Sequence, residues 1–275
     1  MKNGSCCGNS EPQKDDSKSE CGCGFIEYRD QCRIPNPSKP SVLVDEGFLK
    51  DFEEYAGSLG IKKVGYALVT PDVVIAERFI QYPSAIVLTA EMDEELIKTA
   101  PGEEARRLNS SLYDRLAEMT FRLADYLRER GYFAEAIHPM SGILNLTLMA
   151  QRAGIGFKGH SGLLITPESG PAQKVSAIIT SIASLPLKDD NEHEWITEYC
   201  KRCGKCIRAC PEEALIEFKG CCSSSVVLMD ERCIGCSQGC TFCIENCPFY
   251  TKGYHHIRSR FERLMAKPEA AANSR

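Results

Sequence analysis

The 275-residue chain has no apolar run near the roughly 20 residues of a membrane-crossing helix, so a spanning protein is not expected. Its first residues, Met1-Lys2-Asn3-Gly4-Ser5-Cys6-Cys7, contain no apolar stretch that reads as a signal peptide, and the expected location is the cytoplasm. There is no surplus of positive charge. Lys and Arg number 33 against 38 Asp and Glu, a formal net charge of -5, which argues against a protein that coats nucleic acid. No G-x-G-x-x-G follows a strand signal, so a Rossmann nucleotide site is not indicated. With 43% hydrophobic and 26% charged residues, collagen-like, disordered and coiled-coil classes are excluded.

What the chain does have is cysteine, 16 in all. A small secreted domain would spread them as a disulfide framework. Here eleven fall between Cys200 and Cys247, mostly two or three residues apart, which reads as a metal protein. Cys200-x2-Cys203-x2-Cys206-x3-Cys210-Pro211 is the run that holds iron–sulfur clusters in bacterial ferredoxins. Two-residue spacers let one tight loop aim three thiolates at three corners of a cubane. The longer third step carries the fourth away, to the other cluster in two-cluster proteins. A second run, Cys233-x2-Cys236-x3-Cys240-x2-Cys243-x3-Cys247-Pro248, supplies the other half. The crossing rule assigns Cys200, Cys203, Cys206 and Cys247 to one 4Fe-4S cluster, and Cys210, Cys240 and Cys243 to a second, with Cys233 or Cys236 completing it. Zinc is the alternative, since two CxxC pairs can make a four-thiolate site. Zinc has no need of nine closely spaced thiolates and two Cys-Pro stops.

Residues 1–40, rich in Ser, Asp, Lys, Gly and Pro, read as a flexible arm carrying Cys6, Cys7, Cys21, Cys23 and Cys32. No four of these have ligand spacing, so a reactive-thiol tail is expected ahead of an extra metal site. Phe48, Phe52, Tyr55 and Leu59 form one face of a helix that Gly60 stops. Strands are expected over 61–69, 85–88, 133–137, 163–165 and 175–182. Helices are expected over 143–153 and, with the stripe Leu108, Leu112, Leu116, Met119, Leu123 and Leu127, over 103–130. The alternation signals an α/β domain over 41–190. Residues 186–192 read as a polar linker, 191–254 as a ferredoxin-like module with two short strands, and 255–275 as a tail. Cys221 and Cys222 fall between those strands as free thiols in a turn.

Ala153-Gly154-Ile155-Gly156-Phe157-Lys158-Gly159-His160-Ser161-Gly162 packs glycines between a helix and a strand, where a backbone can approach a ligand or simply turn tightly. This segment, the Leu185-Pro186 step before the first cysteine run, and Asp230-Glu231-Arg232-Cys233-Ile234 with Gly239-Cys240-x2-Cys243-x3-Cys247-Pro248 together resemble epoxyqueuosine reductases and the related corrinoid-dependent reductive dehalogenases, over roughly residues 45–250. The resemblance favours Cys233 over Cys236 as ligand. It implies an α+β protein: an α/β cobalamin-reductase-like domain followed by a ferredoxin-like module with two 4Fe-4S clusters. It also implies a cobalamin held beside Gly156, Lys158, Gly159, His160 and Ser161. The implied function is an iron–sulfur oxidoreductase relaying electrons from a ferredoxin or flavodoxin to a corrinoid that reduces a small-molecule substrate.

The family's lysine after the glycine falls at His160. Its reductase members carry an acidic proton donor near the segment His138-Pro139-Met140-Ser141, where no carboxylate stands. His138 is then the candidate catalytic proton donor, because imidazole titrates near neutral pH; its other role is that of a buried structural histidine. The chain also stops before the helical repeats that help such reductases hold tRNA, so a nucleic-acid substrate is not expected. The alternative is a non-catalytic electron carrier or activator that docks a partner metalloenzyme.

Overall fold

The computed structural model describes residues 30–219 and 224–266. Cys6, Cys7, Cys21, Cys23, Cys221 and Cys222 lie outside them.

Helix α1 (Glu46–Leu59) begins where the Asp45 carboxylate accepts from the Phe48 N–H at 2.6 Å, and it ends at Gly60 with φ 104. Strand β1 (Lys63–Leu68) and an irregular loop lead to β2 (Ser84–Glu91), the short α2 (Glu94–Lys98) and the long α3 (Glu103–Glu129). Then come β3 (Ala134–Ile137), α4 (Leu146–Arg152), a small β4–β5 ribbon (Phe157–Lys158, Leu164–Ile165) and β6 (Gln173–Thr180). The order in the main sheet is β1-β2-β6-β3, and every pair is antiparallel. Alternating strand and helix signals therefore produce a mixed α+β layer with no parallel crossovers.

The central strands β2 and β6 are buried on both faces. Ile86, Leu88 and Ile178 meet α1 and α3 through Phe52, Leu116, Leu123 and Leu127. Ala85, Val87, Ala177 and Ile179 face α4 through Met149, Ala150 and Ala153. The α3 stripe is the expected one, with Leu112, Leu116, Met119, Leu123 and Leu127 all buried.

The arm expected to be loose up to residue 40 is a strap from residue 30 onward. Asp125 accepts from the Arg33 and Ile34 N–H groups at 3.1 and 2.9 Å. The buried Arg128 guanidinium donates to the carbonyls of Ile34 and Ala134 and to Asp30. Asn36 accepts the Ala134 N–H at 2.8 Å, on the strand at the sheet's edge. Once tied down, the strap's polar backbone offsets its ordering cost. The expected polar linker is also anchored, because Asn191 donates to the Gln151 and Gly156 carbonyls at 2.6 and 2.9 Å.

The C-terminal part comprises α5 (Trp195–Cys203), α6 (Lys205–Ala209), the hairpin β7–β8 (Leu215–Lys219, Ser224–Leu228), the single turns α7 (Gly235–Gln238), α8 (Phe242–Glu245) and α9 (Pro248–Thr251), and α10 (Tyr254–Met265). It docks on the first part through two close backbone approaches. A Cβ on Gly170 (φ +55) would lie 2.8 Å from the Phe249 carbonyl, and one on Gly239 (φ +68) 2.3 Å from the Ala105 carbonyl carbon. Only glycine allows either contact. Apolar clusters around Leu96, Ile97 and Ile244, and around Ile165, Ile196 and Phe249, fill the seam. Among the described residues no helix is long and apolar enough to cross a membrane.

Candidate functional site

The α5–α6 turn brings Cys200, Cys203 and Cys206 to one cavity, and α9 delivers Cys247 to the same place; His160, Ser161, Tyr199 and Phe249 complete the lining. Helix α5 ends at Gly204 in a left-handed turn, which lets the chain fold back so that Cys206 rejoins its neighbours. Burial pushes the Cys200 thiol up to about 12, and the nearby Cys247, Cys206 and Cys203 thiols push the same way. Cys247 is raised to about 11, again chiefly by burial, with Cys206 and Cys203 adding to it.

A second group forms around Cys243, which burial first, then Cys240, Cys206, Cys233 and Cys210, raises to about 12. Burial likewise raises Cys233, whose thiol neighbours are Cys236, Cys210 and Cys240. Cys236 is therefore beside Cys233 but not among the principal neighbours of Cys243. The two groups abut through Cys206 and Cys243.

These sulfurs sit in a polar cradle that suits thiolates. Backbone N–H groups donate to them: His160 to Cys200, Ile207 to Cys206, Gly235 to Cys233, Phe242 to Cys240, and Phe249 and Tyr250 to Cys247. The Ala214 N–H reaches Cys210 Sγ at 3.3 Å. Amides aimed at sulfur stabilise negative charge there, while burial and mutual repulsion oppose it. A bound polycationic core resolves that conflict, so the residues present fit iron–sulfur ligation. Among the described residues no three His, Cys, Asp or Glu side chains converge closely enough to hold one metal ion. A zinc site, with sulfur about 2.3 Å from the ion, needs that convergence; a cubane holds its four thiolates farther apart.

The glycine-rich segment forms the tight connection between α4 and the β4–β5 ribbon. A Cβ on Gly156 would lie 2.2 Å from the Ile165 carbonyl oxygen, and one on Gly159 2.6 Å from the Ile165 side chain. Both glycines pack closely against β5, and a Cβ on Gly159 would also lie 3.7 Å from Cys200 Sγ. Gly162, at φ +78, faces open space. Lys158 is exposed, and its N–H donates to Gln151. His160 and Ser161 line the first thiol cavity, and the buried His160 Nδ1 has no hydrogen-bond partner among the described residues. Of the five predicted cofactor contacts, the structure gathers Gly159, His160 and Ser161 at the thiols.

His138 is buried at 2% exposure, and its Nδ1 accepts from the Met140 N–H at 3.0 Å. Burial pushes its pKa down to about 4, opposed in part by the Tyr113 backbone, so the ring is neutral at pH 7. Its neighbour is a pair that sequence reading missed. Lys174 Nζ, on β6, donates to the Tyr113 hydroxyl, on α3, at 3.0 Å, and the Tyr113 and His138 rings lie 6.4 Å apart. A lysine in an otherwise uncharged strand, opposite Ala90 of β2, is the one signal that pointed there.

A 4Fe-4S binding domain model matches residues 193–216. Tetrachloroethene reductive dehalogenase of Desulfitobacterium hafniense is 32% identical over 176 residues, covering 63% of this chain and 30% of its own length. Epoxyqueuosine reductase of Listeria monocytogenes is 26% identical over 198 residues, covering 59% of this chain and 51% of its own. A solved reductive dehalogenase, described as suggesting a mechanism for B12-dependent dehalogenation, superposes with a TM-score of 0.65 at 20% identity, over 86% of this chain and 36% of that one. The chain thus spans between about a third and a half of the length of these relatives. Its sequence, its 4Fe-4S motif and its fold agree, and the chain is an iron–sulfur relative of the reductive dehalogenases and epoxyqueuosine reductases.

Proposed function

We propose that the chain is the electron-delivering and proton-delivering part of a corrinoid-dependent reductase of small molecules, working in the cytoplasm with a ferredoxin or flavodoxin as donor. In this reading residues 41–190 form the reductase-like domain and 191–254 a two-cluster ferredoxin-like module. Cys200, Cys203, Cys206 and Cys247 ligate one 4Fe-4S cluster, and Cys210, Cys233, Cys240 and Cys243 the other. The carrying observation is that a group of four thiols and a second group of five, each supplied with backbone donors, abut through Cys206 and Cys243. Adjacent clusters pass single electrons without covalent chemistry of their own.

A corrinoid supplies, when bound and reduced, a nucleophilic metal centre; the protein's share is positioning, burial and proton delivery. His160 and Ser161, beside the first thiol group, would hold its near edge. A two-electron reduction of a carbon–halogen or similar bond consumes one proton at carbon. We assign that proton to Tyr113 in preference to His138. Lys174 is a donor only, so it occupies a lone pair of the phenol oxygen and leaves the phenol hydrogen free to point elsewhere. A neutral, buried imidazole is a poor acid by comparison.

Iron, sulfide and cobalt analysis with EPR on anaerobically prepared protein, followed by cobalamin titration, tests this reading. Two interacting cluster signals and a changed corrinoid spectrum are expected. Zinc with little iron overturns it. Two clusters with an unchanged corrinoid spectrum favour the second reading, an electron carrier that serves a partner metalloenzyme. That reading draws on the segment His138-Pro139-Met140-Ser141, where no carboxylate stands.

A further inference from the structure

The donors found at the second thiol group are backbone N–H groups, from Gly235, Phe242 and Ala214. The first group has a side-chain donor as well. Tyr199 and Cys203 stand four residues apart in α5, which places both on one helix face. Both line the cavity they share with Cys200, Cys206 and Cys247. The Tyr199 hydroxyl donates to Cys203 Sγ. Burial pushes the phenol pKa up to about 12, and the Cys203, Cys247 and Cys200 thiols push the same way. The phenol therefore keeps its hydrogen at neutral pH and stays a donor.

Three aromatic rings hold the phenol in place. Phe249 meets it edge-on with 5.1 Å between centroids, Phe261 at 6.2 Å and Trp195 at 6.4 Å. A ring enclosed in this way has little torsional freedom, so its hydroxyl keeps one direction. Phe249 also gives its N–H to Cys247, and the same aromatic group thus supports two thiols of the first group.

One-electron reduction adds a negative charge to a cluster. Burial disfavours that charge, and a donor to sulfur favours it. Cys200 is buried, whereas Cys233 and Cys236 are exposed. Burial alone would therefore set the first cluster below the second in potential. The electron would then rest on the second cluster, away from His160 and Ser161.

We propose that Tyr199 is a positioning residue for electron transfer: through its hydroxyl bond to Cys203 it raises the reduction potential of the first cluster and draws the electron onto it. The proposal rests on the two-cluster reading above and adds the side chain that sets the direction of transfer.

The test uses the full chain, iron-loaded and anaerobic, with iron content and EPR recorded first. Cys240→Ser, which alters a ligand of the second cluster, assigns the two signals. EPR is then followed while dithionite and mediator dyes step the potential downward, each cluster taking up one electron as it is reduced. Tyr199→Phe keeps the ring and removes the hydroxyl. At the unmodified protein's first midpoint it is expected to raise the ratio of oxidised to reduced first cluster about tenfold, which is about 59 mV for a one-electron couple. The second midpoint is expected to stay where it was. Tyr254→Phe is the control from the same aromatic group, since its hydroxyl lies 2.6 Å from His193 Nδ1 and accepts from Trp195 at 3.1 Å. Should Tyr199→Phe lose iron, protein grown on 3-fluorotyrosine carries the readout. Its phenols are stronger donors, and the first midpoint is expected to rise. A first midpoint unmoved by the change that carries the readout, or lowered as far by Tyr254→Phe, overturns the proposal and leaves the two-cluster reading standing. Fewer than two clusters at the outset sinks both.

Discussion

At residue scale, the proposed chemistry divides between groups that hold charge and groups that move a proton. Tyr113→Phe keeps the ring packing and removes only the hydroxyl that Lys174 contacts. It is expected to lower substrate turnover about 100-fold or more while leaving iron content and cluster EPR unchanged. Lys174→Met is expected to have a smaller effect in the same direction. A turnover assay beside EPR separates the two outcomes, and unchanged turnover in Tyr113→Phe would return the proton to another group. His138 has a different signature. Its folded pKa of about 4 lies below the ordinary histidine value of 6.5, so the unfolded chain binds the proton more tightly. Its contribution is complete above pH 6.5, declines as pH falls and is gone below about 4, amounting to about 3 kcal/mol at most. His138→Gln is expected to flatten that part of the stability–pH curve, as followed by denaturant unfolding.

At the scale of elements, the positive-φ glycines Gly170 and Gly239 clip the cysteine-bearing turns onto the sheet and α3. Gly239→Ala places a methyl against the Ala105 backbone, which cannot yield as a side-chain tip would. On the two-cluster reading it is expected to unseat the second thiol group, with iron falling from about eight to about four atoms per chain and the first cluster's EPR signal retained. The strap is the other element that matters. The Arg128 side chain is 3% exposed and serves the Ala134 and Ile34 carbonyls besides Asp30. Arg128→Leu strands those acceptors and is expected to destabilise the fold by about 3 kcal/mol, measurable by chemical denaturation. The longer helices α1 and α3 were readable from the apolar spacing alone, because a periodic stripe such as Leu112, Leu116, Leu123 and Leu127 needs only one core to face; the five-residue α2 was not. The strap was not readable. Its attachments are hydrogen bonds from a polar segment to Asp125, Arg128 and Ala134, about ninety residues away, and no local pattern announces them.

At the scale of the whole molecule, the thiols belong to the seam between the two halves. Cys200 and Cys247 pack with Ile165, Ile196 and Phe249, and Cys243 with Leu96, Ile97 and Ile244. On the two-cluster reading, emptying the clusters leaves buried, mutually repelling sulfurs in that seam. Iron removal by an oxidant and chelator is therefore expected to lower Tm by about 10 °C or more and to broaden the transition, as read by circular dichroism. An unchanged Tm would mean that the seam holds without its metal.

Spacing by itself determined the cysteine runs and the cluster chemistry they suit, since a loop with two-residue steps has few ways to point its thiols. It also determined the long helix, whose stripe has one period. The tertiary structure decided which groups meet across long separations. It brought Tyr113 of α3 to Lys174 of β6, turned Gly156 and Gly159 toward β5, and joined Cys247 to a loop that starts at Cys200. Contacts of that kind depend on how layers pack, and a linear pattern carries only the local half of that information.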